Sequence, residues 1–211
     1  MEQFEFGDKN SDIVLIQPVN GQELEALENE VRLIGERTDK AFRLIGLKVY
    51  DWNRDLSPWE APAVFGNEGF KGEAEKTLKE ILELCREEGK TYILGGYSLA
   101  GLFSLWASLN TDEFSAAAAV SPSVWFPGFT DYVRDNRIMS KHIYLSLGDK
   151  EEKTGNKVMA TVGDNIREID DILEDKGINH ILEWNPGNHF RDFELRMARA
   201  FSWILSDPII S

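Results

Sequence analysis

Ser98 lies among small residues at the point where a short apolar run changes to a helical pattern, in GGYSLAGLFSLW at residues 95–106. A serine hydroxyl becomes a nucleophile only when a base takes its proton and a third group orients that base. A serine on a sharp strand-to-helix turn between small residues is typical of such a nucleophile. The pattern departs from G-x-S-x-G at Ala100, which is followed by Gly101. The alternative is that Ser98 only caps the helix that begins at Leu99.

The base for such a serine would be one of three histidines. His142 opens a predicted strand and His180 lies inside another, where a packed or exposed imidazole is the ordinary interpretation. His189 instead lies in WNPGNHF, between the last predicted strand and the last predicted helix. Loops at the carboxyl ends of parallel strands carry the ligands and chemistry of open α/β sheets. We therefore expect His189 to be the base, the alternative being a loop histidine without a chemical role.

The acid that orients the base should lie between the serine and the histidine in the chain, at the end of an intervening strand. The segment LSLGDKEEK ends the strand that begins at His142 and contains Asp149, Glu151 and Glu152. We favour Glu151, three residues beyond Gly148, with Asp149 as the alternative. A charged, solvated turn without a role in catalysis is the competing interpretation.

The oxyanion of an acyl-transfer reaction needs backbone N–H donors. One should be the N–H of Leu99, directly after the serine and at a helix N-terminus, whose dipole favours negative charge. The second should come from the loop after the first predicted strand. Because Pro18 has no N–H, we expect Val19 or Asn20 to be this donor.

The elements that must position these residues are short apolar runs that alternate with helical patterns. The runs are apolar along their whole length, as expected for strands covered by helices on both faces. The alternation predicts a three-layer α/β fold with a mostly parallel sheet, in a single domain over residues 1–211. Strands are predicted at 12–19, 42–50, 91–96, 114–121, 142–148 and 178–184, and helices at about 21–38, 71–88, 99–109, 130–137, 157–175 and 193–205.

The composition excludes several classes of function. The 37 acidic and 23 basic residues give a formal net charge of −14, which disfavours binding to nucleic acid or to anionic membranes. Cys85 is the only cysteine, so no intramolecular disulfide can form. No segment approaches the roughly 20 apolar residues of a membrane helix, and the first residues lack the pattern of a signal peptide. We expect a soluble cytoplasmic protein without a metal or another cofactor, since neither a metal-ligand set nor a phosphate-binding loop is visible.

Four large aromatic residues follow predicted strands in loops, where burial in the core is not the obvious role. Aromatic rings in a cleft can stack on acyl, aryl or sugar groups, so we expect a substrate pocket here. The alternative is that they brace a long loop. They are Trp52, Trp59, Trp125 and Phe126.

With these residues placed, the chain resembles the α/β-hydrolases, and within them the esterase group that includes enterochelin-esterase-like and esterase-D-like proteins. The motifs that carry the resemblance are GYSLAG, SPSVWF, LSLGDKE and GNHF. The resemblance implies an α/β-hydrolase fold with a trimmed sheet of about six strands. It also implies Ser98 as nucleophile, His189 as base and an acid in the turn at 149–152. The usual His-Gly after the first strand is replaced by Gln17-Pro18, which leaves the second oxyanion donor open.

These features predict a serine hydrolase that cleaves a small-molecule carboxylic ester through an acyl-enzyme at Ser98. An acyltransferase or thioesterase with the same three residues is a second hypothesis, since transfer to an alcohol or thiol uses the same chemistry. A binding protein that keeps the fold without catalysis is the non-enzyme alternative.

Overall fold

The computed structural model describes residues 1–208 and 210. Within these residues, seven strands form one sheet, and two very short strands form a separate pair. The strands are β1 (Glu2–Gly7), β2 (Ile13–Val19), β3 (Arg43–Lys48), β4 (Glu60–Ala61), β5 (Phe70–Lys71), β6 (Thr91–Tyr97), β7 (Phe114–Val120), β8 (His142–Gly148) and β9 (Asn179–Asn185). The helices are α1 (Gly21–Gly35), α2 (Trp52–Asp55), α3 (Ala74–Leu82), α4 (Leu99–Ala107), α5 (Phe129–Asp135), α6 (Val162–Asp175) and α7 (Phe193–Ser206).

The large sheet has the strand order β1-β3-β2-β6-β7-β8-β9. All neighbours are parallel except β1, which pairs antiparallel with β3 at one edge. The mostly parallel sheet of about six strands is confirmed, and its seventh strand is β1, which the sequence did not indicate. This strand lies at the edge of the sheet, and its residues are exposed or half-buried, so EQFEFG lacks the continuous apolar run that marks a central strand.

Helices cover both faces of the sheet and confirm the three-layer architecture. On one face, α1 and α7 pack on the sheet through side chains such as Leu27 and Phe201. On the other face, α3, α4 and α6 contribute side chains such as Ile81, Phe103 and Ile166 to a second apolar cluster. The central strand β7 consists largely of buried alanines, which lets the helices approach the middle of the sheet closely.

The predicted helix boundaries differ from the observed ones mainly around loops. The helix expected at about 71–88 covers only Ala74–Leu82: Gly72 has a φ of +75° before it, and the Leu84 and Cys85 N–H groups after it donate to carbonyls three residues back, in turns. The helix expected from about residue 157 begins at Val162, after a short 3₁₀ turn at Met159–Thr161. The long loop after β3 contains α2 and the β4–β5 pair, which periodicity did not predict. Within residues 1–208 and 210, no helix has the length and apolar character needed to cross a membrane.

Candidate active site

Ser98 occupies the single residue between β6 and α4, with φ 57° and ψ −120°. A positive φ is uncommon for a residue with a side chain and is found where the surrounding structure enforces it. The turn is tight: a Cβ on Gly96 would lie 2.5 Å from the carbonyl carbon of Ala100, and one on Gly101 would lie 2.9 Å from the Gly96 oxygen. The Ser98 hydroxyl makes no helix-capping hydrogen bond. The conformation therefore turns the hydroxyl away from the helix it precedes.

The Ser98 hydroxyl lies within hydrogen-bond distance of His189. Ser98 Oγ is 3.0 Å from His189 Nε2, and His189 Nδ1 is 2.7 Å from Glu151 Oε2. Ser98, Glu151 and His189 follow β6, β8 and β9 respectively, so the carboxyl ends of three parallel strands bring them together. The side chain of His189 is 27% exposed and that of Glu151 only 5%. The imidazole thus faces the open side of the site while the carboxylate lies beneath it.

The second oxygen of Glu151 is held by a separate set of donors. Glu151 Oε1 accepts hydrogen bonds from the Gly148 N–H at 2.7 Å, the Ser121 hydroxyl at 2.8 Å and Arg196 Nη1 at 3.0 Å. Burial opposes ionisation of this carboxyl, but His189 and the hydrogen bonds from Gly148 and Ser121 outweigh burial and lower the pKa of Glu151 below its ordinary value. The carboxylate is therefore ionised at neutral pH and fixed in orientation.

The other two acids of the same turn have different partners. Asp149 accepts a hydrogen bond from the Gly187 N–H at 2.8 Å, which ties the turn after β9 to the turn after β8. Glu152 pairs with Arg167 of α6 at 3.0 Å. Of the three carboxylates weighed from the sequence, Glu151 is the one that the structure brings to His189.

The expected oxyanion donors differ in how they are placed. Leu99 is the first residue of α4, where a backbone N–H has no acceptor within the helix. Val19 is fully buried in β2, and its carbonyl accepts from the Val49 N–H beyond β3. In a parallel ladder the N–H and C=O of one residue point to the same neighbouring strand. The N–H of Val19 therefore points toward β3 and away from β6 and Ser98, so the expectation for Val19 does not fit the structure.

Asn20, the alternative donor, lines a cavity beside Ser98, but its N–H already has an acceptor. The Asn20 N–H donates to Glu23 Oε2 at 3.0 Å, while the Asn20 side chain accepts from the Gln22 and Glu23 N–H groups at the start of α1. This reciprocal arrangement is a capping box. The N–H of Asn20 becomes available to an oxyanion only if the Glu23 carboxylate releases it.

Two cavities meet at Ser98 and His189. The larger has a volume of about 530 Å³, and its apolar wall includes Phe65, Trp125, Met159, Val162 and Phe190. The smaller, of about 180 Å³, is lined by Trp52, Phe193 and the polar residues at the start of α1. Phe190 borders both cavities and is 86% exposed. The site therefore has room for one substituent of a bound molecule in each cavity, on opposite sides of the serine.

The four aromatic residues singled out from the sequence separate into two pairs. Trp125 lines the larger cavity and Trp52 the smaller. Trp59 and Phe126 line neither cavity: their rings pack edge to face at 5.5 Å, and Trp59 Nε1 donates to the Pro127 carbonyl. These two brace the long loop, as the alternative interpretation held. Phe190 was missed, although its position directly after the candidate base could have indicated it.

Residues 1–208 and 210 contain no group of three or more His, Cys, Asp or Glu side chains that could hold a metal ion. The two remaining histidines lie away from the serine. His142 Nδ1 lies 2.9 Å from the Asn179 amide nitrogen, and His180 Nε2 lies 3.1 Å from Asp170. Neither histidine lines the two cavities beside Ser98.

The fold has similar solved structures. An IroE-like serine hydrolase from Shewanella oneidensis has a TM-score of 0.77 at 16% identity, over 96% of this chain and 74% of that one. Siderophore hydrolase EstA from Aspergillus nidulans has a TM-score of 0.72 at 19% identity, over 94% and 84% of the two chains. Enterobactin esterase FES from Shigella flexneri has a TM-score of 0.65 at 12% identity, over 96% of this chain and 54% of that one.

No protein-family model matches the sequence, and a comparison with curated proteins finds no match. The structural likeness covers nearly the whole chain at low identity, so it identifies the fold. The chain has the α/β-hydrolase fold, as the motifs around Ser98 and His189 indicated. The particular structures it is similar to include an IroE-like hydrolase, a siderophore hydrolase and an enterobactin esterase, which are of the group that those motifs resemble.

Proposed function

We propose that this protein is a serine hydrolase that cleaves a carboxylic ester through an acyl-enzyme at Ser98. The observation that carries the proposal is the continuous hydrogen-bonded chain from Ser98 Oγ to His189 at 3.0 Å and from His189 to Glu151 at 2.7 Å. Attack by a serine hydroxyl needs a base within hydrogen-bond distance and a third group that keeps the base in one tautomer. The similarity to solved serine hydrolases and esterases supports the same reaction type.

In the first half of the reaction, Ser98 Oγ attacks the ester carbonyl while His189 Nε2 takes the hydroxyl proton. The Leu99 N–H at the start of α4 stabilises the developing oxyanion. Glu151 holds Nδ1–H of His189 and stabilises the imidazolium. The C–O bond to the leaving group then breaks, and the imidazolium returns its proton to the departing alkoxide oxygen. The products are an alcohol and an ester between the acyl group and Ser98.

In the second half, His189 takes a proton from a water molecule as that water attacks the acyl carbonyl. The tetrahedral intermediate collapses, Ser98 Oγ leaves and recovers a proton from His189, and a carboxylic acid is released. The larger cavity offers an apolar wall of Phe65, Trp125 and Met159 beside the serine. We therefore propose esters with an apolar or aryl substituent as substrates.

The first experiment tests the nucleophile directly. Incubation with a fluorophosphonate probe followed by peptide mass spectrometry should give an adduct on Ser98, and Ser98→Ala should abolish it. Ser115→Ala is the matched control, because Ser115 lies at the opposite end of the parallel strands, on β7. Its labelling should equal that of the wild type.

A second measurement links labelling to turnover. The wild type should hydrolyse p-nitrophenyl acetate or butyrate with a burst of p-nitrophenol equal to the labelled fraction, since an acyl-enzyme releases the alcohol first. A wild-type protein that neither takes the probe nor cleaves any short p-nitrophenyl ester contradicts the proposed function.

A further inference from the structure

We propose that Arg196 is a positioning residue for the reaction at Ser98: it orients Glu151 and the His189 turn together and sets the pH range of activity. The proposal rests on the proposed function. Arg196 lies in α7, on the turn of helix that follows the His189 loop, and its side chain is only 2% exposed. Arginine is rarely buried unless its charge is paired and its N–H groups are bonded, so its contacts need an explanation.

One end of the guanidinium faces the acid and its neighbours. Arg196 Nη1 lies 3.0 Å from Glu151 Oε1, 3.0 Å from the Ser121 hydroxyl and 3.1 Å from the Tyr97 hydroxyl. The Tyr97 hydroxyl in turn donates to the His189 carbonyl at 2.7 Å. Because Oε1 is occupied in this way, Oε2 is the oxygen of Glu151 that is left to face His189.

The other end of the guanidinium holds the loop that carries the base. Arg196 Nη2 donates to the Asn188 carbonyl at 3.0 Å and to the Pro186 carbonyl at 3.3 Å. The same planar group therefore touches the acid and the backbone directly before His189. A rigid fork of this kind fixes the distance between its two partners, which the flexible ammonium of lysine does not do.

The charge of Arg196 has a separate effect on the proton at His189. The Glu151 carboxylate is shared between a permanent cation on Oε1 and the imidazole on Oε2. Among the described residues, Tyr97 from β6 contacts the guanidinium, and Glu23 from α1 lines the smaller cavity with His189. Lys150 and Lys153 from the turn after β8 line the larger cavity with Glu151 and His189, and their positive charge is the same in all the variants compared below. Burial raises the pKa of Tyr97 to about 12, so it stays neutral. Removing the guanidinium charge leaves the carboxylate free to stabilise the imidazolium alone, which favours protonation of His189 at higher pH.

The test uses Arg196→Met, Arg196→Lys and, as a matched control, Arg199→Met. Arg199 lies on the same helix but pairs with Glu183 and Asn185 and is 40% exposed. The kcat and KM for p-nitrophenyl butyrate are measured from pH 5 to 10 and normalised to the fraction of sites that a fluorophosphonate labels. A pH titration of the His189 ring-proton NMR signals gives a readout that does not need turnover. The signals are assigned by comparison with the variants His142→Gln and His180→Gln.

Arg196→Met should lower kcat about 100-fold with little change in KM and move the acid limb and the His189 titration midpoint up by about one pH unit. Arg196→Lys should keep the wild-type acid limb, because the charge remains, but lower kcat about tenfold, because the fork is lost. Arg199→Met should match the wild type in kcat and in the position of the acid limb. If Arg196→Met does not fold, the test rests on Arg196→Lys, in which kcat should fall while the acid limb of the pH profile keeps its wild-type position.

Two results overturn the role of Arg196. One is a wild-type kcat and pH profile in the Arg196 variants, and the other is a fall in kcat with the His189 midpoint unmoved in Arg196→Met, which would indicate a merely structural residue. A wild-type protein without turnover contradicts the proposed function instead, and the NMR midpoint still decides whether Arg196 sets the proton affinity of His189.

Discussion

The two oxygens of Glu151 serve different partners, and this division determines how the imidazole is held. Oε2 faces His189 Nδ1, while Oε1 accepts from Gly148, Ser121 and Arg196. A neutral amide in place of the carboxylate would keep the shape of the side chain. It would, however, remove the charge that stabilises the imidazolium in the proposed mechanism, and it would be able to present an N–H to Nδ1, which favours the wrong tautomer for a base.

Glu151→Gln is therefore expected to lower kcat by about 10³-fold to 10⁴-fold while the protein stays folded. Steady-state hydrolysis of p-nitrophenyl butyrate at pH 8 measures the loss, and circular dichroism checks the fold. Asp149→Asn is the comparison, since Asp149 contacts Gly187 and not His189. A larger loss in Asp149→Asn than in Glu151→Gln would contradict the assignment of the acid.

Local sequence patterns singled out one serine and one histidine, whose side chains the structure places 3.0 Å apart, but could only rank the acids. Ser98 and His189 each lie in a distinctive small-residue turn, whereas Asp149, Glu151 and Glu152 share one turn and differ only in which way each side chain points. Arg196 was not predicted at all. In FELRMARAF an arginine is typical of a solvated helix face, and only the packing of α7 against the strand ends buries it.

At the scale of elements, the strand-to-helix turn explains why the sequence can depart from G-x-S-x-G. Ala100 is fully buried, and its Cβ lies 2.6 Å from the place where a Cβ on Gly96 would be. The methyl group of Ala100 thus fills space that Gly96 leaves empty. The departure from the usual pattern at one position is accommodated by the glycine four residues before it.

Gly96→Ala is expected to destabilise the protein by about 2–3 kcal/mol, because its methyl group would overlap the backbone of Ala100 at 2.5 Å. Urea unfolding followed by fluorescence measures the free energy of unfolding. Gly35→Ala, at the end of α1, is the control: nothing lies within 4 Å of its Cβ position. The control should be unchanged or slightly more stable. Equal stability of the Gly96 and Gly35 variants would mean that the turn is not sterically closed.

The strands inside the sheet and the parallel edge strand β9 could be predicted from the sequence, but the antiparallel edge strand β1 and the short β4–β5 pair could not. The five central parallel strands are apolar runs bounded by turns, and the sequence indicates each of them. The antiparallel edge strand β1 has only half-buried Phe4 and Phe6 on its inner face. The strands β4 and β5 have only two residues each, which is too short for a periodic pattern to show in the sequence.

At the scale of the whole molecule, an acidic chain with a net charge of −14 also buries carboxyl groups. Glu23 and Glu30 of α1 are 7% and 0% exposed. Burial raises the pKa of Glu23 to about 7, against a hydrogen bond from Asn20. Burial also raises the pKa of Glu30 well above its ordinary value, against a hydrogen bond from Gln17. Both groups are exceptions to the pattern of charged residues on the solvated face of a helix.

These raised pKa values determine how stability depends on pH. The native state keeps the proton of Glu23 up to about pH 7, whereas the unfolded chain releases it near 4.5. The native state therefore binds more protons than the unfolded state between these values, and the free energy of unfolding falls as the pH rises through this window. The contribution of Glu23 alone to the free energy of unfolding is about 3 kcal/mol, and it is fully lost above pH 7.

Glu23→Gln should remove this part of the pH dependence. Glutamine at this position can still accept the Asn20 N–H, so the capping box that begins α1 keeps its geometry, while no proton is gained or lost. Thermal unfolding from pH 5 to 8 should show a melting temperature that falls with pH in the wild type and falls less in Glu23→Gln. Glu28→Gln, on the exposed side of the same helix, should retain the wild-type slope. A wild-type slope in Glu23→Gln would mean that Glu23 is already ionised in the folded protein at pH 5, and that the Asn20 N–H and the surrounding solvent outweigh its burial.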